Sequence, residues 1–204
     1  MESLKETVYQ SLMECIIRGE YRPNEIINER ALTEKYGFSK APIREALSAL
    51  CEDGILRNLP RCGYEVVRIT REDIDNMLEY RMFLEGGLLR KAIPTITPQK
   101  RMILRELDER CRADQDSMWN HWDCNTAFHL KLLSFAGNNY AYKQLERTLT
   151  FLKYAFGQYY WDKWDERSPA DKKFHHSRIL DAIESGDADT AVKHLLEDLK
   201  DFDY

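Results

Sequence analysis

The stretch Asn28–Leu50, NERALTEKYGFSKAPIREALSAL, constrains the fold more than any other part of the chain. Two short helical patterns flank a single glycine-bearing turn. Ala31, Leu32 and Tyr36 give the first pattern an apolar face, and Gly37 supplies permissive backbone for the turn. Ser39 is placed as the N-cap of the second, with Pro42 in its first turn, where a missing N–H costs little. Ile43, Ala46, Leu47 and Leu50 recur at helical spacing and face inward, which leaves Lys40, Arg44 and Ser48 to look outward. A helix that reads base edges needs this division of faces. An ordinary helical hairpin in an all-α domain produces the same local pattern, so the motif alone leaves both readings open.

Composition narrows the class. A chain of 204 residues with 43% hydrophobic and 32% charged residues is long enough for one large or two small domains with their own cores. Nine glycines and six prolines among long helical periodicities favour a mostly α protein. No apolar run approaches a membrane span, and MESLKETVYQ is no signal peptide, so a cytoplasmic protein without a membrane partner is expected. Cys15, Cys51, Cys62, Cys111 and Cys124 are odd in number and show no C-x-x-C spacing, against a zinc ribbon or disulfide framework. The net charge of −5 is unlike that of most nucleic-acid binders. Locally, Arg30 to Arg68 holds seven Lys or Arg against five Asp or Glu, which permits a face built from a few placed arginines.

Around the helical pair, Ser3 to Arg18 reads as an amphipathic helix with Val8, Leu12, Cys15 and Ile16 on one side and Gly19 as its stop. YRPNEIIN is a connector. Residues 55–59 and 64–69 read as two short strands joined by a tip of Pro60, Arg61, Cys62 and Gly63. A hairpin directly after a helix-turn-helix is a wing, with Arg61 at its tip beside a glycine that lets backbone approach a phosphate.

Several motifs in this order, I-x-x-G-x-Y-x-P from Ile16, E-R-A-L from Glu29, G-F-S-K-A-P-I-R-E-A-L from Gly37 and L-x-x-D-G-I-L from Leu50, resemble the winged helix of GntR-family bacterial transcription regulators. The likeness covers nearly all of residues 5–69 and implies binding to double-stranded operator DNA. Asn24 stands where that family usually has glycine after the proline, and asparagine tolerates left-handed backbone. By position, the resemblance implies DNA contacts from Arg30, Lys40, Arg44 and Gly63, with Ser39, Ala41 and Arg61 as neighbours. Lys40 replaces the usual arginine, exchanging a bidentate fork for a point charge, so base discrimination there is expected to differ. Arg44 as a plain solvated charge is the bland counterpart.

From Thr70 onward the pattern is one of long helices. The first opens with Thr70 and Asp73 as a cap pair and carries Ile74, Met77, Leu78, Phe83, Leu84 and Leu88 in helical register. Five more follow: one after Pro98, then 118–135, 139–161, 168–184 and 187 to the end, with breaks at Gly137-Asn138 and Ser185-Gly186-Asp187. The expected fold is therefore mostly α, an N-terminal winged helix-turn-helix over residues 1–69 and an all-α antiparallel helical bundle over residues 70–204.

The second half resembles the FCD effector domain of the FadR subfamily through Y-R-x-x-L-E at Tyr80–Glu85, F-H-x-x-L-L-x-x-A-G-N at Phe128–Asn138 and H-x-x-I-L-D-A-I-x-x-G-D at His176–Asp187. Many members of that family hold a divalent metal in the bundle with one Asp and three His. Helical geometry puts Asn125 and His129 on or beside the inner face marked by Phe128 and Leu132, with Asp123 nearly opposite, and His176 nearer the inner face of its helix than His175. Asn125 occupies the usual Asp position, and Asp198 the position of the last His, with His194 as the fallback. The implied set is Asn125, His129, His176 and Asp198, which still offers two imidazoles and a carboxylate to zinc or a similar ion. Core histidines that are merely hydrogen-bonded are the alternative.

Arg81 is the candidate for pairing with a small carboxylate effector, against an internal salt bridge to Glu85. The aromatic run Phe151, Tyr154, Phe156, Tyr159, Tyr160, Trp161 and Trp164 either lines the effector cavity in part or fills core and interface. The expected function is a ligand-responsive regulator, a repressor acting as a homodimer on a palindromic operator. A metal-dependent enzyme using His129 and His176 is the second reading, against which stands the lack of a nucleophile or acid–base pair at motif-like spacing. An effector-binding protein without DNA recognition is the third.

Overall fold

The computed structural model describes residues 3–113, 118–160 and 175–200. The chain divides into two compact units, Met1–Ile74 with Thr150–Trp164, and Asp75–Leu149 with Asp165–Tyr204. The single boundary after residue 69 follows chain order, whereas the first unit also takes in a later piece of chain.

In the first unit, helix α1 (Leu4–Ile17) starts where the Ser3 side chain accepts from the Glu6 amide, and it buries Val8, Leu12 and Ile16 at four-residue spacing. Helix α2 (Glu29–Tyr36) is capped by Asn28 and stopped by Gly37 at φ 66. Helix α3 (Lys40–Glu52) buries Ile43, Ala46, Leu47 and Leu50 completely. Ser39 stands at its N-cap in extended backbone, yet its side chain makes no capping hydrogen bond. Pro42 is the cause on one side: it occupies the third helical position, whose N–H such a cap would use.

The wing is a three-stranded antiparallel sheet in the order β1-β3-β2, built from β1 (Ile26–Ile27), β2 (Leu56–Leu59) and β3 (Gly63–Val66). Strand β1 lies within what reads as a connector in the sequence, because two residues are too few to show alternation. Asn24 adopts φ 68 and donates its N–H to the Val66 carbonyl at 2.8 Å, so the left-handed turn expected of it is present.

The second half of helix α7 (Asn139–Tyr160) belongs to this unit. Gln158 accepts from the Ile69 N–H at 3.0 Å and donates to the Val67 carbonyl at 2.6 Å, and the Tyr154 hydroxyl also donates to Val67. Tyr154 and Gln158 thereby satisfy the backbone just after β3, and Tyr154 lies wholly buried there. Tyr154 thus fills core of the first unit, one of the two roles open to it from the sequence. Of the other aromatics named from the sequence, the Tyr160 side chain, Trp161 and Trp164 fall outside the described residues.

The second unit contains most of α4 (Arg71–Ala92), then α5 (Pro98–Ala113), α6 (Met118–Ser134), the first half of α7, α8 (His176–Glu184) and α9 (Ala188–Lys200). Thr70 and Asp73 cap α4 reciprocally, the Asp73 amide donating to Thr70 Oγ1 and the Thr70 amide to Asp73 Oδ2. The unit's core joins Leu88, Leu89, Leu104, Phe128, Leu132, Leu145, Ile179, Ile183, Ala191 and Leu195. Phe83, placed in the inner register by the sequence pattern, is instead 75% exposed. The buried face of α4 runs through Arg81, Glu85, Leu88, Leu89 and Ala92, and Phe83 sits about 200° round from Arg81. No described helix is long and apolar enough to cross a membrane.

Candidate functional site

Two sets of residues stand apart from ordinary packing. The first is the outward face of α3 with the wing. Lys40, Ala41, Arg44 and Ser48 are exposed there, as the inward periodicity requires. Arg44 Nε donates to Glu29 Oε2 at 2.8 Å with its side chain 63% exposed, and Arg30 Nε donates to Glu34 Oε1 at 3.0 Å with 88% exposed. Such solvated pairs are weak, so a phosphate or base edge competes readily for either guanidinium. Arg61 holds φ 68 at the wing tip, and Gly63 opens β3 at φ 131. A Cβ on Gly63 would lie 2.7 Å from the Ile27 carbonyl oxygen, so glycine is what allows β1 to pair at this point.

The second is a polar centre inside the second unit, assembled from five helices. Helix α4 supplies Arg81 and Glu85, α5 Asp108, α6 Asn125 and His129, α8 His176, and α9 Asp198; all seven are buried. Arg81 Nε donates to Glu85 Oε1 at 2.7 Å, the internal salt bridge foreseen as one of its two roles. Glu85 Oε2 lies 2.6 Å from His129 Nδ1, and His129 Nε2 lies 2.9 Å from Asp198 Oδ2. Arginine, carboxylate, imidazole and carboxylate thus form one continuous chain.

The electrostatics follow from that chain. Burial pushes the Glu85 carboxyl up, but Arg81 and His129 outweigh it and hold the group below the ordinary carboxylate value. Burial pulls His129 down, yet Glu85 and Asp198 raise it to about 9. Burial likewise raises Asp198, while the His129 hydrogen bond and the nearby His176 bring it to about 2. With a proton on each His129 nitrogen, two positive and two negative groups balance, as a buried cluster requires.

His176 is held differently. Its ring stacks on Phe128 with centroids 3.8 Å apart, Nδ1 lies 3.7 Å from Asp108 Oδ1, and Nε2 lies 3.8 Å from Asp198 Oδ1. Both gaps exceed a hydrogen bond. Asp108 Oδ1 and His176 Nε2 are buried with no hydrogen-bond partner among the described residues, a state that costs about 1–3 kcal/mol per group. Burial, opposed by Asp198, keeps His176 neutral down to about pH 3.

His129, His176 and Asp198 each bring a donor atom within 4.8 Å of the others. The orphaned His176 Nε2, the neutral ring and the facing carboxylate fit a divalent cation by the chemistry of the donors. Asn125 is buried one turn before His129 on α6. His194 lies outside the group, its Nδ1 2.9 Å from Glu197 Oε2 and its side chain 21% exposed. Glu85 and Asp108 were not singled out as site residues from the sequence. The signal for Asp108 was an acid between Leu104 and Cys111 on the buried face of α5, and for Glu85 its place four residues after Arg81.

A winged helix-turn-helix with an open arginine-bearing recognition face, in one chain with a helical unit enclosing a polar centre, defines a helix-turn-helix transcription regulator. Residues 4–66 match the family of bacterial regulatory proteins, gntR family, and residues 76–201 match the FCD domain. The chain belongs to the GntR-family regulators that carry an FCD domain. Among curated proteins it is similar to the uncharacterized HTH-type transcriptional regulator YdhC of Bacillus subtilis strain 168, 27% identical over 92% of this chain and 84% of that one. It is also similar to the HTH-type transcriptional repressor GlaR of Escherichia coli K12, 29% identical over 68% of this chain and 66% of that one. E. coli McbR/YncC shares the fold, with a TM-score of 0.76 at 22% identity over 98% of this chain and 95% of that one.

Proposed function

We propose that this regulator is a repressor that binds a palindromic operator as a homodimer and changes its operator affinity when a small carboxylate reaches the polar centre of its FCD domain. The observation that carries the reading is the convergence of His129, His176 and Asp198 in the chain whose α3 exposes Lys40 and Arg44. Arg30, Lys40, Arg44, Arg61 and the backbone at Gly63 form the DNA-contacting set, with Ser39 and Ala41 beside them. The repressor sense is supported by the similarity to GlaR, itself named a repressor. Two-fold symmetry suits a palindrome, and the exposed rings of Phe83 and Tyr140, each 75% accessible, suit a surface that a second copy covers.

In this reading His129, His176 and Asp198 hold zinc or a similar ion, with Asn125 beside them. A bound cation would supply the positive charge that holds the effector's carboxylate. Arg81 adds a second positive charge, although its Nε is committed to Glu85. The test is a gel shift on the DNA upstream of the protein's own gene, combined with elemental analysis of untagged protein purified without chelator. A specific, salt-sensitive complex and stoichiometric metal that is lost from the His129→Ala/His176→Ala variant are expected. Absence of a specific complex overturns the regulator reading, and absence of metal overturns the cation reading.

A further inference from the structure

We infer that Glu85 is the positioning residue of the polar centre: it holds a proton on His129 Nδ1, so that Nε2, whose proton a cation displaces, is the nitrogen presented for ligation. The inference rests on the divalent-cation reading above. Glu85 is wholly buried, and its two oxygens have different duties. Oε1 accepts from Arg81 Nε at 2.7 Å, and Oε2 lies 2.6 Å from His129 Nδ1. An ionised carboxylate only accepts, so Nδ1 must carry a proton. A lone pair at Nδ1 would face a carboxylate oxygen at hydrogen-bond distance with nothing between them. The opposite nitrogen, 2.9 Å from Asp198 Oδ2, then looks toward the atoms that converge with His176. This is the arrangement in which a carboxylate behind a histidine sets the tautomer and orientation of the ligating ring.

Arg81 makes the assignment sharp, because a guanidinium has no acceptor and its Nε can only donate. In Glu85→Gln the shape of the side chain is kept, but its two ends differ. The amide oxygen must take the Oε1 place facing Arg81. The amide NH2 is then forced into the Oε2 place, opposite His129 Nδ1, which must now accept. Nδ1 therefore gives up its proton, and the one on Nε2, donating to Asp198 in the position a cation needs, is left as the ring's only proton. The variant therefore retains its hydrogen bonds, but a cation could displace the Nε2 proton only by leaving the ring with none.

The test uses the full-length protein labelled with 15N-histidine. In metal-free wild type the His129 Nδ1 resonance is expected to be that of a protonated nitrogen, and in Glu85→Gln that of an unprotonated one with the proton on Nε2. Titration with Co2+, followed by its visible absorption, is expected to show affinity lower by about 10–100-fold in Glu85→Gln. An unprotonated Nδ1 in the wild type overturns the inference whether or not the variant folds, and a protonated Nδ1 in folded Glu85→Gln overturns it as well. Undiminished Co2+ affinity in a variant whose Nδ1 has lost its proton also overturns the role in ligation. Failure of the wild type to bind Co2+ overturns the cation reading instead, and the nitrogen resonances then still decide whether Glu85 sets the proton.

Discussion

Arg81→Met removes the charge that balances Glu85 while keeping an unbranched apolar stem of similar reach. Both side chains are 0% exposed and their contact is 2.7 Å, so the carboxylate left behind has no route to water without opening the unit. Breaking a buried pair from one side costs about 3–5 kcal/mol, and His129 is already engaged with Glu85 in the wild type, so it offers no new compensation. Removing both charges is another matter. In Arg81→Met/Glu85→Leu no uncompensated carboxylate remains, and the main residual loss is the Nδ1 acceptor of His129, about 1–3 kcal/mol. The double variant should therefore be more stable than the single one by roughly 2 kcal/mol, the difference between the midpoints of those two ranges. The assay is thermal unfolding of chelator-treated protein by circular dichroism. For a chain of this size 1 kcal/mol moves Tm by about 2–4 °C, so the single variant should lose about 6–20 °C in the transition of the second unit. A loss below about 3 °C, or a double variant less stable than Arg81→Met, would refute the view that Glu85 is a charged group held by Arg81.

Two further outcomes follow from the geometry. Gly63→Ala must displace β1, because the added Cβ meets the Ile27 oxygen at 2.7 Å and φ is 131. A loss of about 2–4 kcal/mol in the first unit, read by urea unfolding and accompanied by weaker DNA binding, is expected, and unchanged stability would contradict the wing described above. In the metal-free protein the second unit should be most stable near neutral pH. His129 is raised to about 9, so its contribution is present below its ordinary value and lost as pH rises through 9. Asp198 is lowered to about 2 and His176 to about 3, so theirs are present above their ordinary values and lost as pH falls. Tm measured from pH 4 to 10 should decline on both sides, and a flat alkaline limb would show that His129 does not carry the charge.

What the sequence makes legible is what local periodicity controls. Ile43, Ala46, Leu47 and Leu50 lie inward and Arg44 outward because one helix turn decides both. Phe83 was misplaced for the same reason in reverse: the buried stripe of α4 runs through Arg81 and Glu85, and a pattern of apolar residues passes over charged positions. His129, His176 and Asp198 were reached through family motifs together with helix faces. Their connection to Glu85 and Asp108 joins five helices far apart in the chain, which no local spacing encodes. Tyr154 and Gln158 illustrate the same limit. Their partners Val67 and Ile69 lie some 90 positions away, so the sequence leaves Tyr154 open between cavity and core, and nothing in it shows that Tyr154 and Gln158 brace the end of the wing.

The central claim, that the exposed face of α3 reads operator DNA, is tested most directly by fluorescence anisotropy on a duplex from the protein's own upstream region across a salt series. Wild type should bind with an affinity that falls steeply as salt rises, because phosphate contacts release counterions. Arg44→Ala, on a 63% exposed side chain whose loss spares the core, should fold normally and bind on the order of tenfold more weakly or worse. Equal affinity of Arg44→Ala and wild type for that duplex, or no preference of the wild type for it over unrelated DNA, would contradict the account.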